Sequence, residues 1–175
     1  MNKIELTNFT DEEDNYELMY KWCSKKIIYK WFEQRILSKD EIKKKYKDKL
    51  LRKEQHLFFI NYKGVKIGFV QIYQYHNQKY SELNKYNCFE YDIFIGEDDY
   101  LSKGIGTQVV NYINNYIYEK YNCDCIILRP FKKNIVAIKC YQKNGFWICD
   151  EYNDTDTIGN KERIVLMIHK KESSK

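Results

Sequence analysis

The chain has 175 residues, with 30 Lys and Arg against 25 Asp and Glu for a net charge of +5, and 43% of its residues are hydrophobic. That length suits one domain, residues 1–175, with a substantial core. With 7 Gly and 1 Pro there is no linker composition, and neither a secretory leader nor an apolar run of about twenty residues is present, so no membrane segment is expected.

In chain order, residues 3–8 read as a strand. Asp11 to Ser24 reads as a helix capped by Thr10 or Asp11, and a short helix follows over residues 27–32. A further helix over Lys39–Lys49 begins a basic stretch running to Lys53. This stretch reads as a solvated face; it matches no nucleic-acid-binding motif, so no nucleic acid is expected as a partner. Strands over His56–Tyr62 and Val65–Tyr75 form a hairpin through Lys63-Gly64, and a polar loop, His76 to Asn87, leads to a buried strand at 89–95.

The glycines Gly104 and Gly106 open a helix with Ile105, Val109, Ile113, Tyr116 and Ile117 on one face. A strand, a glycine turn and a helix set backbone N–H groups at a helix N-terminus, where they can bind an anion such as a pyrophosphate. A plain tight turn explains the glycines as well. No GKS or GKT tripeptide follows, and position 109 is Val where a dinucleotide fingerprint would need glycine.

Cys123–Arg129 reads as another buried strand, followed by a helix capped by Asn134 that carries Ala137, Cys140 and Tyr141 on one side and ends at Gly145. Strands from Phe146 and over 162–169 close the chain. The six cysteines read as buried free thiols of a cytoplasmic protein. Cys123-x-Cys125 has the wrong spacing for zinc and the three histidines are scattered, so no metal is expected.

Asn134, Ala137, Tyr141, Gly145 and Phe146, with Gly104-Ile105-Gly106 upstream, resemble the signature of the GCN5-related N-acetyltransferase (GNAT) superfamily. The resemblance implies an α+β fold: a mixed, mostly antiparallel twisted sheet with helices on both faces, its fourth strand splayed from the fifth. It implies acetyl-CoA as cosubstrate. Backbone at Ile93, Phe94 and Ile95 would hold pantetheine, Lys103, Gly104, Ile105, Gly106 and Thr107 would cradle the pyrophosphate, and Asn134 and Ala137 would flank the arm. Tyr141 would give a proton to the departing sulfur. From the residues alone, Tyr141 is equally an ordinary core tyrosine in a chain with 17 of them.

Over most of its length the chain is similar to the aminoglycoside 6'-N-acetyltransferases. Met19-Tyr-Lys-Trp22, Trp31-Phe32, Ile67-Gly68-Phe69-Val70-Gln71 and Tyr91 to Glu97 carry that likeness. It implies Asp92 as the catalytic or amine-orienting carboxylate, with Trp31, Gln71 and Arg129 on the acceptor side. Asp92 shares a strand face with Glu90 and Phe94, which would be either a cleft or a solvated sheet face. The acceptor is expected to be a small-molecule amine, and monomer and dimer both remain open. Three residues depart from the family pattern. Leu101 replaces the usual Gln or Arg, Lys30 stands where an acidic residue is usual, and Arg129-Pro130 replaces Asp-Pro. A positive charge at 129 would repel a polyamine ligand. Against an aminoglycoside it favours another amine, such as a polyamine, an amino-sugar metabolite or a protein N-terminus, and a non-catalytic acyl-CoA sensor is the reading from a different class.

Overall fold

The computed structural model describes residues 3–76 and 79–171; positions 77 and 78 of the polar loop lie outside it. Seven strands form one sheet in the order β1-β2-β3-β4-β5-β7-β6. The chain divides into two compact units interleaved in sequence. One comprises Met1–Gln71, Ile93–Leu101 and Thr155–Lys161; the other comprises Ile72–Asp92, Ser102–Asp154 and Glu162–Lys175.

The first unit contains β1 (Ile4–Asn8), α1 (Glu13–Cys23), α2 (Lys26–Tyr29), α3 (Lys39–Leu50), β2 (Gln55–Tyr62) and most of β3 (Val65–Gln74). Helix α1 begins after Glu12, with no side-chain cap, not at Thr10 or Asp11. The oxygens of those two residues are already engaged one turn on: Asn15 donates to Thr10 Oγ1 at 2.9 Å and the Tyr16 hydroxyl donates to Asp11 at 2.8 Å. Helix α3 has a reciprocal cap, in which Ser38 Oγ accepts from the Glu41 N–H and the Glu41 carboxylate accepts from the Ser38 N–H at 2.8 Å. Such a cap is worth about 1 kcal/mol.

Phe9, Met19, Trp22, Ile42, Tyr46, Phe59, Phe69 and Phe94 pack into one core cluster of this unit. The Trp22, Phe59 and Phe94 rings meet edge to face about 6 Å apart, a geometry that adds specific attraction to burial. Gly68 is required where β3 runs beside Phe94: a Cβ there would lie 2.2 Å from the Phe94 carbonyl oxygen.

The second unit contains the end of β3, most of β4 (Cys88–Ile95), α4 (Ile105–Tyr121), β5 (Cys125–Leu128), α5 (Ile135–Lys143), most of β6 (Trp147–Thr155) and β7 (Lys161–Lys170). Strands β1 and β2 are antiparallel, as are β5 and β7, while β4 and β5 are parallel and joined through α4. A parallel pair needs such a crossover. β5 starts two residues later than the apolar run suggests, because Asp124 is drawn into the preceding loop and exchanges hydrogen bonds with the Asn87 backbone at 2.8 Å.

Polar side chains also find partners inside this unit. Asn114 lies on the buried face of α4, where its side chain accepts from the Tyr91 hydroxyl at 3.1 Å. The Tyr118 hydroxyl meets His169 Nδ1 at 2.7 Å. Tyr116, expected on the buried face, is only partly covered.

The cysteines differ from the sequence-based expectation. Cys88 and Cys125, opposed in the β4–β5 register, form a disulfide, and Cys149 is exposed on β6. Cys23 and Cys123 are buried free thiols as expected. Opposed positions on adjacent strands bring two Cβ atoms within disulfide reach, a pairing that linear spacing does not display. No helix among the described residues is long and apolar enough to cross a membrane.

Candidate active site

Helix α4 starts on Gly104, whose left-handed backbone (φ +73°) forms its N-cap with no side-chain hydrogen bond. Nothing lies within 4 Å of where a Cβ would project at Gly104 or Gly106. The first-turn amides of α4 thus carry no side-chain cap at the positive end of the helix, with Lys103 before them and Thr107 within the first turn. Thr107 Oγ1 lies 3.7 Å from Cys140 Sγ on α5. Asn134 caps α5, accepting from the Ala137 N–H at 3.3 Å, so both residues the motif singled out are fixed in the first turn of that helix.

Strand β4 pairs with β5 over Cys88–Glu90 and Cys125–Ile127. Beyond Glu90 the strand itself runs on through Tyr91, Asp92, Ile93 and Phe94 to Ile95. An extended ligand can pair with an uncovered strand edge, and phosphates can bind uncapped first-turn amides. Acetyl-CoA, a pantetheine thioester carrying a pyrophosphate, has both chemical features.

The second unit gathers polar groups at and just beyond the paired part of β4. Asp92 is half-buried and accepts from the Tyr73 hydroxyl at 3.2 Å. Tyr73, on β3, is held well above the usual phenol range by burial and by the charges of Asp92 and Glu90. Tyr141, on α5, is likewise raised by burial first, then by Cys140 and Asp92, so its hydroxyl stays protonated near neutral pH. It keeps some accessible surface even though protein atoms surround its ring.

Glu90 lies two residues before Asp92 on the same strand face, only 3% exposed. It accepts from Arg129 Nε at 2.7 Å and from Nη2 at 2.9 Å, a bidentate pairing of the strong kind. Burial pushes the Glu90 carboxyl up to about 7, against the opposing pull of Arg129. The charge reversal at 129 is thus met by an internal partner. The sequence reading placed Glu90 on the right face but did not connect it with Arg129. A signal was present: one buried-strand acid and one new cation at the end of the neighbouring strand.

Trp31 and Gln71 belong to the first unit. Lys30 Nζ lies 4.5 Å from the Trp31 ring centroid, and buried Gln71 accepts from Lys49 Nζ at 2.5 Å.

Residues 11–153 match the family model described as an acetyltransferase (GNAT) domain. The chain belongs to the GNAT acetyltransferase family. Among curated relatives, this GNAT chain is 33% identical over 85 residues to the spermine/spermidine N(1)-acetyltransferase of Bacillus subtilis (strain 168), a match covering 49% of the chain and 55% of that protein. The chain therefore spans about half the length of the first curated relatives it matches. It is 28% identical over 168 residues to acetyltransferase PseH of Campylobacter jejuni, covering 86% of the chain and 89% of that protein. Among solved structures, AAC(6')-Ib in complex with paromomycin and acetyl-CoA superposes with a TM-score of 0.81 at 20% identity, over 98% of this chain and 95% of that one. Spermidine N-acetyltransferase from Vibrio cholerae, in complex with CoA and spermine, gives 0.78 at 17% identity, over 96% and 95%. At those identities the two structures speak to the fold.

Proposed function

We propose that this GNAT protein transfers the acetyl group of acetyl-CoA to a primary amine of a small cationic acceptor by direct attack, the 6'-amine of an aminoglycoside being the leading candidate. The observation that carries the reading is the placement of Asp92, bonded to Tyr73 and electrostatically coupled to Tyr141, at the point where β4 leaves β5. Asp92 receives the acceptor ammonium and takes its proton. The freed amine attacks the thioester carbonyl and the C–S bond breaks; Tyr141 gives its hydroxyl proton to the departing thiolate, the second proton shed by the acylated nitrogen restores that hydroxyl, and Asp92 releases the first proton to solvent. Burial suits Tyr141 to that task by keeping it protonated. Backbone at Ile93, Phe94 and Ile95 binds pantetheine, amides from Lys103 to Thr107 bind pyrophosphate, and Asn134 and Ala137 flank the arm. Trp31, Gln71 and Arg129 contribute to acceptor choice. This reading takes the protein to act in the cytoplasm.

The Glu90–Arg129 pairing supports a cationic acceptor, because the guanidinium charge is offset within the protein. A polyamine is the second reading. It is favoured by the stretch that is 33% identical to a spermine/spermidine N(1)-acetyltransferase, whereas the aminoglycoside enzymes are alike in fold.

The test is thiol release from acetyl-CoA against kanamycin, tobramycin, spermidine and short peptides. Turnover of kanamycin, with none of its 6'-hydroxyl analogue, establishes the aminoglycoside reading. Turnover of spermidine alone reassigns the acceptor, and silence on every amine with acetyl-CoA still bound overturns catalysis in favour of a sensor.

A further inference from the structure

Arg129 carries a charge that family resemblance did not lead one to expect, and its surroundings give that charge a use. Glu90 engages the Nε and Nη2 side of the guanidinium. The Arg129 side chain nevertheless keeps 31% of its surface, whereas that of Glu90 keeps 5%. Two phenols stand beside the cation. The Tyr75 ring centroid is 5.9 Å from Arg129 Cζ. Burial raises the Tyr152 phenol, and Arg129 beside it pulls the other way. Neither buried hydroxyl finds an acceptor for its own proton, although buried polar groups are rarely left unsatisfied. A guanidinium with two unused O–H donors is a receptor for a carboxylate, held shut here by the carboxylate of Glu90 itself. Asp92 sits on the same face of β4, with Tyr73 between it and the pair electrostatically.

We propose that Glu90 sets acceptor specificity by masking Arg129: with the pair intact the site presents the Asp92 charge and takes cationic amines, and with Glu90 neutralised it presents Arg129, Tyr75 and Tyr152 and takes amines that carry a carboxylate. The inference rests on the proposed function, since it explains how a cation-accepting site tolerates an arginine. Glu90 acts through Arg129 and is a positioning residue. An unmasked unit charge lining a partly buried acceptor site interacts with an ammonium strongly enough to change affinity on the order of ten-fold or more.

The test is steady-state kinetics of the full chain with spermidine and kanamycin as cationic acceptors, and with ornithine as an amine bearing a carboxylate. Glu90→Gln is expected to raise KM for the cationic acceptors about ten-fold or more, with a much smaller change in kcat. It should lower KM for ornithine and leave KM for acetyl-CoA unchanged. The double variant Glu90→Gln/Arg129→Met should return the cationic KM to within a few-fold of wild type, a rescue that damaged packing cannot produce. An unchanged cationic KM in a folded Glu90→Gln protein, or a double variant as impaired as the single one, overturns the mask while leaving the proposed function standing. If Glu90→Gln does not fold, the apolar pair Glu90→Met/Arg129→Met decides: a wild-type cationic KM supports the mask, and a raised one overturns it. A wild-type protein idle on every cationic amine overturns both the proposed function and the mask.

Discussion

The two units use charge in opposite ways. In the first, the pairs that α3 makes with the start of the chain lie at the surface over an aromatic core, although Lys45 and Glu33 pair in a partly buried setting. Lys39, Lys43 and Lys47, one turn apart on α3, pair with Glu17 and Glu13 of α1 and with Asp11 just ahead of that helix, and Arg35 pairs with Glu41. In the second, Glu90 is buried, Arg129 is partly buried, and Asp92, Tyr73, Tyr75, Tyr141 and Tyr152 act on one another across short distances. Exposed pairs are screened by water and contribute little. A buried charge must keep its partner or its pKa moves. The basic run that dominates the sequence should therefore matter least to this protein, and one acid on β4 should matter most.

Asp92→Asn breaks the comparison open with the largest effect. Under the proposed mechanism kcat falls by about 100-fold or more, the range for losing a positioned proton acceptor, while acetyl-CoA binding measured by calorimetry is unchanged. Retained turnover would remove Asp92 from the chemistry.

Removing the Cys88–Cys125 bond comes next. It closes a loop of 37 residues, for which chain-entropy reasoning gives roughly 4 kcal/mol of stability and, in a chain of this size, a melting shift on the order of 10 °C. The check is thermal unfolding of wild type with and without dithiothreitol beside Cys88→Ser/Cys125→Ser. The variant should melt low and ignore the reductant. Equal melting of all three would mean that the two thiols are not joined in solution.

The contrast also explains what the sequence could reveal. Local chemistry was legible: the Asn134 cap, the left-handed Gly145 and the Lys63-Gly64 hairpin turn, both of whose residues have positive φ, each depend on neighbours within a few positions. The candidate cofactor segments follow from the same local rules and from family pattern. What escaped was long-range. Glu90 with Arg129 and Cys88 with Cys125 are contacts across the β4–β5 register, and a strand's own periodicity does not name its neighbour's residues. The α1 boundary failed for a different reason: Asn15 and Tyr16 compete for the oxygens that would have capped the helix at Thr10 or Asp11.

A pH profile sharpens the comparison with a smaller effect. Glu90 titrates at about 7 in the folded chain against 4.5 for the free side chain, so between those values the folded state binds more protons than the unfolded state. Stability should fall as pH rises from about 4.5 to 7 by this contribution, and Glu90→Gln should remove that slope from melting curves taken across the window. The groups facing Glu90 are Arg129, Asp92 and Tyr73, with Tyr75 and Tyr152 beside Arg129. Arg129 stays charged throughout. Protonating Glu90 unmasks it, so KM for a cationic acceptor should rise as pH falls below about 7 in wild type and stay flatter in Glu90→Gln. A slope identical in both proteins would place the titration elsewhere.

The smallest effect belongs to the most conspicuous charges. Lys43 pairs with Glu13, yet both side chains are about half exposed or more. Such a pair gains little over hydration, and holding two long side chains costs rotamer entropy. Lys43→Ala should leave the melting temperature nearly unchanged, partly because alanine favours the helix, and should leave kcat and both KM values at wild type. The triple change at Lys39, Lys43 and Lys47 is the stricter test, since neighbouring pairs can reinforce one another. If the triple variant loses several-fold in acceptor affinity while melting normally, the basic face of α3 takes part in recognition. The division between a structural surface charge and a functional buried one would then fail where the sequence first drew attention to it.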